Sequence, residues 1–245
     1  MGNLITKIIE GTIDDMVFRE TPKEKHVRRM EKDLGPLDGF PIERFKNVQP
    51  PKNESSETQD EIKQLGNIEP DSDFVKSGND INKKFEQFLK SKDLEFPIKE
   101  INKYMTGVRS IILQLKYHYN RPRPGQVADA TGIDFESETL KSASTPSYPS
   151  GHATQGRFIS KVLTDMYPEY EQQLMKIGED IAYSRNVAKV HYPSDTKFGK
   201  KLGDEMYDFI SPDKGRVKEV KNRYGVELDE MFNAIYKIII ERQKI

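Results

Sequence analysis

The chain has 245 residues, of which 35% are hydrophobic and 32% are charged. Its 39 Lys and Arg residues nearly balance its 40 Asp and Glu residues, which excludes a broadly basic surface for nucleic acid. The absence of cysteine excludes a disulfide framework, thiolate chemistry and any cysteine-based metal site.

The N-terminus does not have the pattern of a targeting segment. Its apolar pieces, at residues 4–5 and 8–9, are interrupted by Lys7 and Glu10, whereas a signal peptide needs a continuous apolar stretch. Apolar runs elsewhere are far shorter than the roughly 20 residues that span a bilayer. We therefore expect a soluble protein, cytoplasmic or otherwise, without a transmembrane helix. Gly2 fits the loose pattern for N-myristoylation, which leaves that modification open.

Residues 1–75 are predicted to form an N-terminal extension. Residues 1 to about 30 have the pattern of a polar amphipathic helix and turn. From residue 35 to 73 the composition shifts to Pro, Gly, Asn, Ser and Glu. This predicts mostly irregular chain, with one short helix over residues 58–65.

Residues 76–245 are predicted to form one helical domain. Apolar residues recur every three to four positions over residues 81–89 and 98–119, as on one face of a helix. Further helices are predicted over residues 150–167, 169–187, 194–210 and 227–243. The polar stretch 125–148 is predicted to be a long loop, and loops of that length are usually functional or disordered. Because no segment alternates with a period of two, we expect an all-α fold.

The first candidate site element is Lys116-x6-Arg123-Pro124. Its two cations, one of them a forked guanidinium, suit a phosphate group. Arg121 also precedes a proline, but Gln114 stands seven positions before Arg121, whereas Lys116 holds that position for Arg123. The spacing from the lysine therefore selects Arg123 rather than Arg121 as the arginine of this element. Taken alone, this element fits a solvated basic helix end followed by prolines equally well.

The second element is Pro149-Ser150-Gly151-His152, directly before a predicted helix. Ser150 is a suitable N-cap, and Gly151 lets backbone N–H groups approach an anion at the positive end of the helix. Without His152 this pattern would be an ordinary helix cap. With His152, a titratable group lies about one turn from the predicted phosphate site.

The third element is Arg185-x5-His191-x3-Asp195, preceded by Ser184. Arg185 adds a third cation. Asp195 is close enough in sequence for its carboxylate to bind one imidazole nitrogen of His191, which leaves the other nitrogen free to attack phosphorus. We therefore predict His191 as the nucleophile and Asp195 as the group that orients it.

A zinc site is the alternative interpretation of His191 and Asp195. A catalytic zinc usually has three protein ligands. Besides His152, the only other histidines are His26 and His118, which we expect to be surface or packing residues. The sequence therefore predicts no metal site.

These three elements, in this order and with these spacings, resemble the signature of the PAP2 superfamily. That superfamily comprises the type 2 phosphatidic acid phosphatases and their soluble acid-phosphatase and vanadium-haloperoxidase relatives. The resemblance extends from Lys116 to Asp195 and implies an all-helical bundle in which residues 76–245 carry the catalytic site. It implies that His191 is the nucleophile, with Asp195 beside it, and that His152 is the general acid. The phosphate-binding residues that it implies are Lys116, Arg123, Ser150, Gly151 and Arg185.

The resemblance implies an acid-phosphatase-like phosphomonoesterase that works through a covalent phosphohistidine, without metal or other cofactor. The expected partner is a small-molecule phosphate ester, no nucleic-acid partner is expected, and a homo-oligomer stays open. A vanadium-dependent haloperoxidase is one alternative, because the same residues can hold vanadate, a phosphate analogue. A non-catalytic phosphate-binding or interaction protein is the other. One departure is Lys189, where many relatives carry glycine; it leaves the catalytic set intact and bears on substrate preference.

Overall fold

The computed structural model describes residues 12–211, which are helical and contain no β-strand. This confirms the prediction of an all-α fold. Four short 3-10 turns occur in this part of the chain, at Ile13–Asp15, Gly35–Leu37, Lys141–Ala143 and Pro168–Tyr170. Its α-helices are α1 (Glu24–Met30), α2 (Ile42–Lys46), α3 (Ser56–Gly66), α4 (Ser72–Asn79), α5 (Ile81–Lys90), α6 (Ile98–Tyr119), α7 (Pro124–Thr131), α8 (Gly151–Met166), α9 (Glu171–Val187) and α10 (Pro193–Ile210).

The chain divides by its contacts into two units, Met1–Tyr207 and Asp208–Ile245. The description below concerns the first unit. The helix predicted for residues 227–243 lies outside the described residues, and so does the start of the one predicted for residues 1–30. The domain boundary predicted at residue 75 stays a prediction.

Helix α6 forms because its apolar residues recur on one face, and these are buried: Ile101, Met105, Val108, Ile111, Ile112 and Leu115. The helix ends at Asn120, whose φ of 49° places it in the left-handed region common at helix ends. Helices α1, α2 and α8 pack against α6. The last turn of α6 therefore carries Lys116 into the interior, where it is buried.

Glycines allow α8 to approach α9 and α10 closely. A Cβ atom on Gly178 of α9 would lie 2.2 Å from Ser160 Oγ and 3.0 Å from the carbonyl oxygen of Gly156, both on α8. A Cβ atom on Gly199 of α10 would lie 2.6 Å from the carbonyl oxygen of Ser150. The start of α8 is thus held against α10, and Ser150 N donates to the carbonyl oxygen of Asp195 at 3.0 Å.

Short helices occur in segments where the sequence did not predict them. The predicted loop 125–148 begins as α7, which has a proline in its first turn and Gly132 at its end with a φ of 70°. Helix α2 interrupts the segment predicted to be mostly irregular, and α4 precedes the helical pattern predicted from residue 81. Residues 12–30 contain a 3-10 turn and α1, where a helix and turn were predicted. Both α2 and α7 are too short to show a helical period in the sequence. Over residues 12–211, no helix has the length and apolar composition needed to cross a bilayer.

Candidate active site

Five of the predicted site residues line one cavity of about 220 Å³: Lys116, Arg123, Gly151, His152 and His191. No carboxylate of the described residues belongs to its lining. The other three predicted residues, Ser150, Arg185 and Asp195, do not line this cavity but lie buried near its wall. The structure therefore gathers all three sequence elements at one place.

His191 lies between α9 and α10 and is only 4% exposed. Its Nδ1 lies 3.0 Å from Asp195 Oδ2, and its Nε2 lies 3.0 Å from Arg123 Nη1. Burial, with the charges of Arg123 and Lys116, lowers the pKa of His191 well below its usual value, although Asp195 opposes them. The neutral ring therefore donates from Nδ1 to Asp195 and keeps a lone pair on Nε2.

Asp195 is fully buried and accepts hydrogen bonds from four sides. Arg121 Nη1 donates to its Oδ1 at 2.7 Å, while the Tyr192 backbone N–H donates to Oδ2 at 3.0 Å, and Ser147 Oγ and the ring of His191 donate to the same oxygen. Burial alone would raise the pKa of Asp195, but the charge of Arg121 and these hydrogen bonds hold it below its usual value. Asp195 is therefore a fixed anion that sets the tautomer of His191.

Lys116 and Arg123 are buried cations held by carbonyl groups of the chain before α8. Lys116 Nζ donates to the carbonyl oxygens of Pro146 and Ser147 at 2.5 and 3.1 Å. Arg123 Nη2 donates to the carbonyl oxygen of Thr145 at 2.8 Å. Burial lowers both pKa values, that of Lys116 well below its usual range and that of Arg123 to about 10. An anion in the cavity would stabilise both charges.

His152 lies in the first turn of α8, which Ser150 caps by accepting from the Ala153 N–H at 3.4 Å. His152 Nε2 lies 3.1 Å from the carbonyl oxygen of Asn79. Burial and the charge of Arg185 lower the pKa of His152 to about 3, so the ring is neutral at neutral pH. A bound anion would raise this pKa again, because it favours the charged ring.

Comparison with known proteins shows which family the region around this site is similar to. A family model described as the PAP2 superfamily matches residues 103–203, which contain all three sequence elements. Over these residues the chain is similar to the PAP2 superfamily, in agreement with the resemblance of the three sequence elements.

Two curated relatives are acid phosphatases. The non-specific acid phosphatase of Salmonella typhimurium is 34% identical over 89 residues, which are 36% of this chain and 35% of that protein. The acid phosphatase of Zymomonas mobilis is 31% identical over 84 residues, which are 34% of this chain and 31% of that protein. The chain thus matches about a third of the length of each of these relatives.

A solved structure shares the fold. A bacterial vanadium-dependent iodoperoxidase superposes with a TM-score of 0.54 and 17% sequence identity, covering 84% of this chain and 63% of that chain. At this identity the similarity concerns the fold alone. It supports the helical architecture of the PAP2 acid phosphatase and haloperoxidase type.

Within the candidate site, Arg185 forms hydrogen bonds to the protein itself. Its Nη1 donates to Asn79 Oδ1 at 3.2 Å, its Nη2 to the carbonyl oxygen of Val75 at 3.1 Å and its Nε to Ser184 Oγ at 3.1 Å. Burial lowers the pKa of Arg185 to about 10. In this arrangement Arg185 contributes charge beside His152, while its donors hold the end of α4.

Lys189, the departure from many PAP2 relatives, has a φ of 57°. This is the left-handed region that favours glycine. Its Nζ donates to the carbonyl oxygen of Gly66 at the end of α3, at 3.1 Å, and Lys189 does not line the cavity.

Sequence reasoning missed Arg121, which it treated only as a rival frame for Arg123. Arg121 is 2% exposed and its Nη1 also donates to Ser194 Oγ at 2.8 Å. Its Nη2 lies 3.4 Å from Glu61 Oε2 and 3.3 Å from Thr58 Oγ1, both on α3. Its guanidinium stacks on the ring of Tyr192, 3.8 Å from the centroid. The signal in the sequence was that a second Arg-Pro pair, Arg121-Pro122, directly precedes Arg123-Pro124. The contacts with α3 and Asp195 show that Arg121 is a buried supporting residue.

Proposed function

We propose that this protein is a phosphatase that hydrolyses phosphate monoesters through a covalent phosphohistidine on His191, without a metal ion. The observation that carries the proposal is a neutral, buried imidazole with Nδ1 fixed by Asp195 and Nε2 at a cavity whose lining has cations and no carboxylate. The PAP2 family and the acid phosphatase relatives support the class of reaction.

In the first step, the Nε2 lone pair of His191 attacks phosphorus. A P–N bond forms, the P–O bond to the ester breaks, and His152, protonated because the bound phosphate raises its pKa, gives this proton to the leaving oxygen. Lys116 and Arg123 neutralise the charge on the phosphoryl oxygens, with Arg123 exchanging its contact to Nε2 for one to the phosphoryl group. In the second step, water loses a proton to His152 and attacks phosphorus, which breaks the P–N bond and releases inorganic phosphate.

Metal independence rests on the chemistry of the donors. Among residues 12–211, no three side chains of His, Asp or Glu come together as a candidate metal site. The carboxylate beside His191 already binds Arg121 and three other donors. The cationic lining fits a tetrahedral oxyanion, phosphate or its analogue vanadate, rather than a second cation.

Activity on p-nitrophenyl phosphate tests this function. We expect release of p-nitrophenol that survives EDTA and is inhibited by vanadate and by free phosphate, because the buried cations bind these anions. Loss of activity on chelation that zinc or magnesium restores would contradict the metal-free mechanism. Oxidation of halide by hydrogen peroxide with added vanadate, without ester hydrolysis, would identify the haloperoxidase alternative. If the protein shows neither ester hydrolysis nor halide oxidation, the alternative of a non-catalytic phosphate-binding protein would be supported.

The role of His152 predicts a dependence on the leaving group. His152→Ala should lower kcat on an alkyl phosphate by about 10²-fold or more, because a poor leaving group needs the proton. The loss on p-nitrophenyl phosphate should be much smaller, since nitrophenolate leaves without protonation. Steady-state kinetics on both esters measure the difference, and His118→Ala, at an exposed histidine, is the matched control. Equal losses on the two esters would limit His152 to binding.

A further inference from the structure

Two more arginines line the cavity, Arg29 on α1 and Arg109 on α6. Both side chains are exposed, and neither forms an ion pair with any residue in the described range 12–211. By contrast, Arg28, the neighbour of Arg29 in the chain, pairs with Glu24. The cavity is thus lined by four cationic side chains with no acidic partner in its wall.

The orientation of Arg109 is linked to the phosphate site. Arg109 Nε donates to Gln155 Oε1 at 3.1 Å, and Gln155 Nε2 donates to the carbonyl oxygen of Gly151 at 3.1 Å. This contact uses one edge of the guanidinium and leaves both Nη groups available to an anion. Arg109 is exposed at the cavity mouth but partly desolvated there, and this desolvation, followed by the charge of Arg29, lowers its pKa, so an anion between the two would stabilise both.

The spacing along α6 separates the two cationic ends of the cavity. Arg109 and Lys116 are two helical turns apart, about 10 Å along the axis, and share one face of the helix. Ile112 and Leu113 lie between them and also line the cavity. The cavity therefore has a cationic end at Lys116, a middle lined by Ile112 and Leu113 together with Gln155, and a second cationic end at Arg109.

We propose that the substrate is a phosphate monoester whose leaving group carries a second anionic group, a phosphate or a carboxylate, across a short apolar spacer. Arg29 and Arg109 bind this second group, while Lys116 and Arg123 bind the phosphoryl group that is transferred. The statement about the substrate rests on the proposed phosphatase function, whereas the second anion-binding site does not depend on that function. Arg109 also lines a neighbouring depression, which contains the carboxylate of Asp80. This carboxylate caps α5, where it accepts from the Lys83 N–H at 3.1 Å.

The test compares esters that differ in the charge of the leaving group. The esters are 4-carbamoylphenyl phosphate, which is neutral at that end, 4-carboxyphenyl phosphate and 4-(phosphonomethyl)phenyl phosphate. We expect kcat/KM to be about tenfold higher for a charged ester than for the neutral one, because charge-assisted hydrogen bonds to arginine are strong. The preference should fall with added salt, since both arginines are exposed. A preference for the phosphonate alone would indicate a second phosphate, and equal preference for both charged esters would show that a carboxylate suffices.

Substitutions assign the preference to the arginines. Arg109→Gln and Arg29→Gln should each reduce the ratio of charged to neutral kcat/KM, and the double variant should bring it close to one. Arg28→Gln is the matched control, because Arg28 lies next to Arg29, does not line the cavity and pairs with Glu24. No preference in the wild type, or equal losses on charged and neutral esters in Arg109→Gln, would overturn the proposal.

A binding measurement separates this proposal from the proposed function. If no ester is hydrolysed, the phosphatase function fails, and calorimetric titration with benzylphosphonate and 4-carboxybenzylphosphonate still tests the second site. We expect the carboxylated ligand to bind about tenfold more tightly to the wild type and to lose that advantage in Arg109→Gln. Equal affinities of the two phosphonates in the wild type would exclude a second anion site.

Discussion

Replacing His191 with alanine should abolish turnover, with a loss in kcat of about 10⁴-fold or more, because the variant has no nucleophile that can form the phosphoenzyme. The measurement is rapid acid-free quenching after a short exposure to ³²P-labelled substrate, which traps acid-labile phosphate on the wild type. The variant should carry none. His118→Ala should label as the wild type does, because His118 is exposed and does not line the cavity. Acid-labile phosphate on the His191→Ala protein would place the nucleophile elsewhere.

Replacing Arg121 with glutamine should destabilise the fold by about 3–5 kcal/mol, because it leaves the buried charge of Asp195 without its counterion. The same change should lower kcat, since Asp195 would no longer be held against His191. Urea unfolding at pH 7 measures the first effect, and phosphatase assays measure the second. Arg28→Gln is the control: its exposed pair with Glu24 is expected to contribute about 0–1 kcal/mol.

The pH dependence identifies the cause of this destabilisation. Arg121 and the hydrogen bonds hold the pKa of Asp195 below its usual value of about 3.9, against burial, which would raise it. A carboxyl group with a depressed pKa in the folded state stabilises the protein above its unfolded pKa, and this contribution is lost as the pH falls through the folded pKa. The stability difference between the wild type and Arg121→Gln should therefore be full at pH 7 and shrink below about pH 4. Should Arg121→Gln fail to fold, Arg121→Lys, which keeps the charge but lacks the fork, should show a smaller loss with the same pH trend. A loss as small as that of Arg28→Gln, or one independent of pH, would contradict this account.

The main helices could be predicted from the sequence because each is long enough to show its period. Apolar residues repeat over about six turns of α6, and Pro97 and Asn120 mark its ends. Helix α7 has only eight residues, beginning at a proline and ending before a glycine, so its composition indicated a loop. Short helices of this kind are stabilised by tertiary contacts, such as the burial of Val127, that one sequence does not contain.

The contact between the predicted residues His191 and Asp195 could be predicted because the proposed chemistry fixes their type and spacing. His191 and Asp195 stand four residues apart and meet at 3.0 Å. The supporting residues could not be predicted in this way. Glu61 reaches the site from α3, and Arg29 reaches the cavity from α1, through packing between segments distant in the chain. Sequence patterns report neighbours within an element, whereas these contacts depend on how elements are arranged.

Because Arg121 is held by α3, inherited changes that silence the site need not fall in any of the three sequence elements. Glu61 Oε2 accepts from Ser194 Oγ at 2.8 Å and faces Arg121, so a substitution at Glu61 acts on the group that positions Asp195. A survey of related genes that scored only the histidine and arginine signatures would count such a variant as intact. Recognising inactive members of this lineage therefore requires reading the residue at position 61 together with the one at position 121.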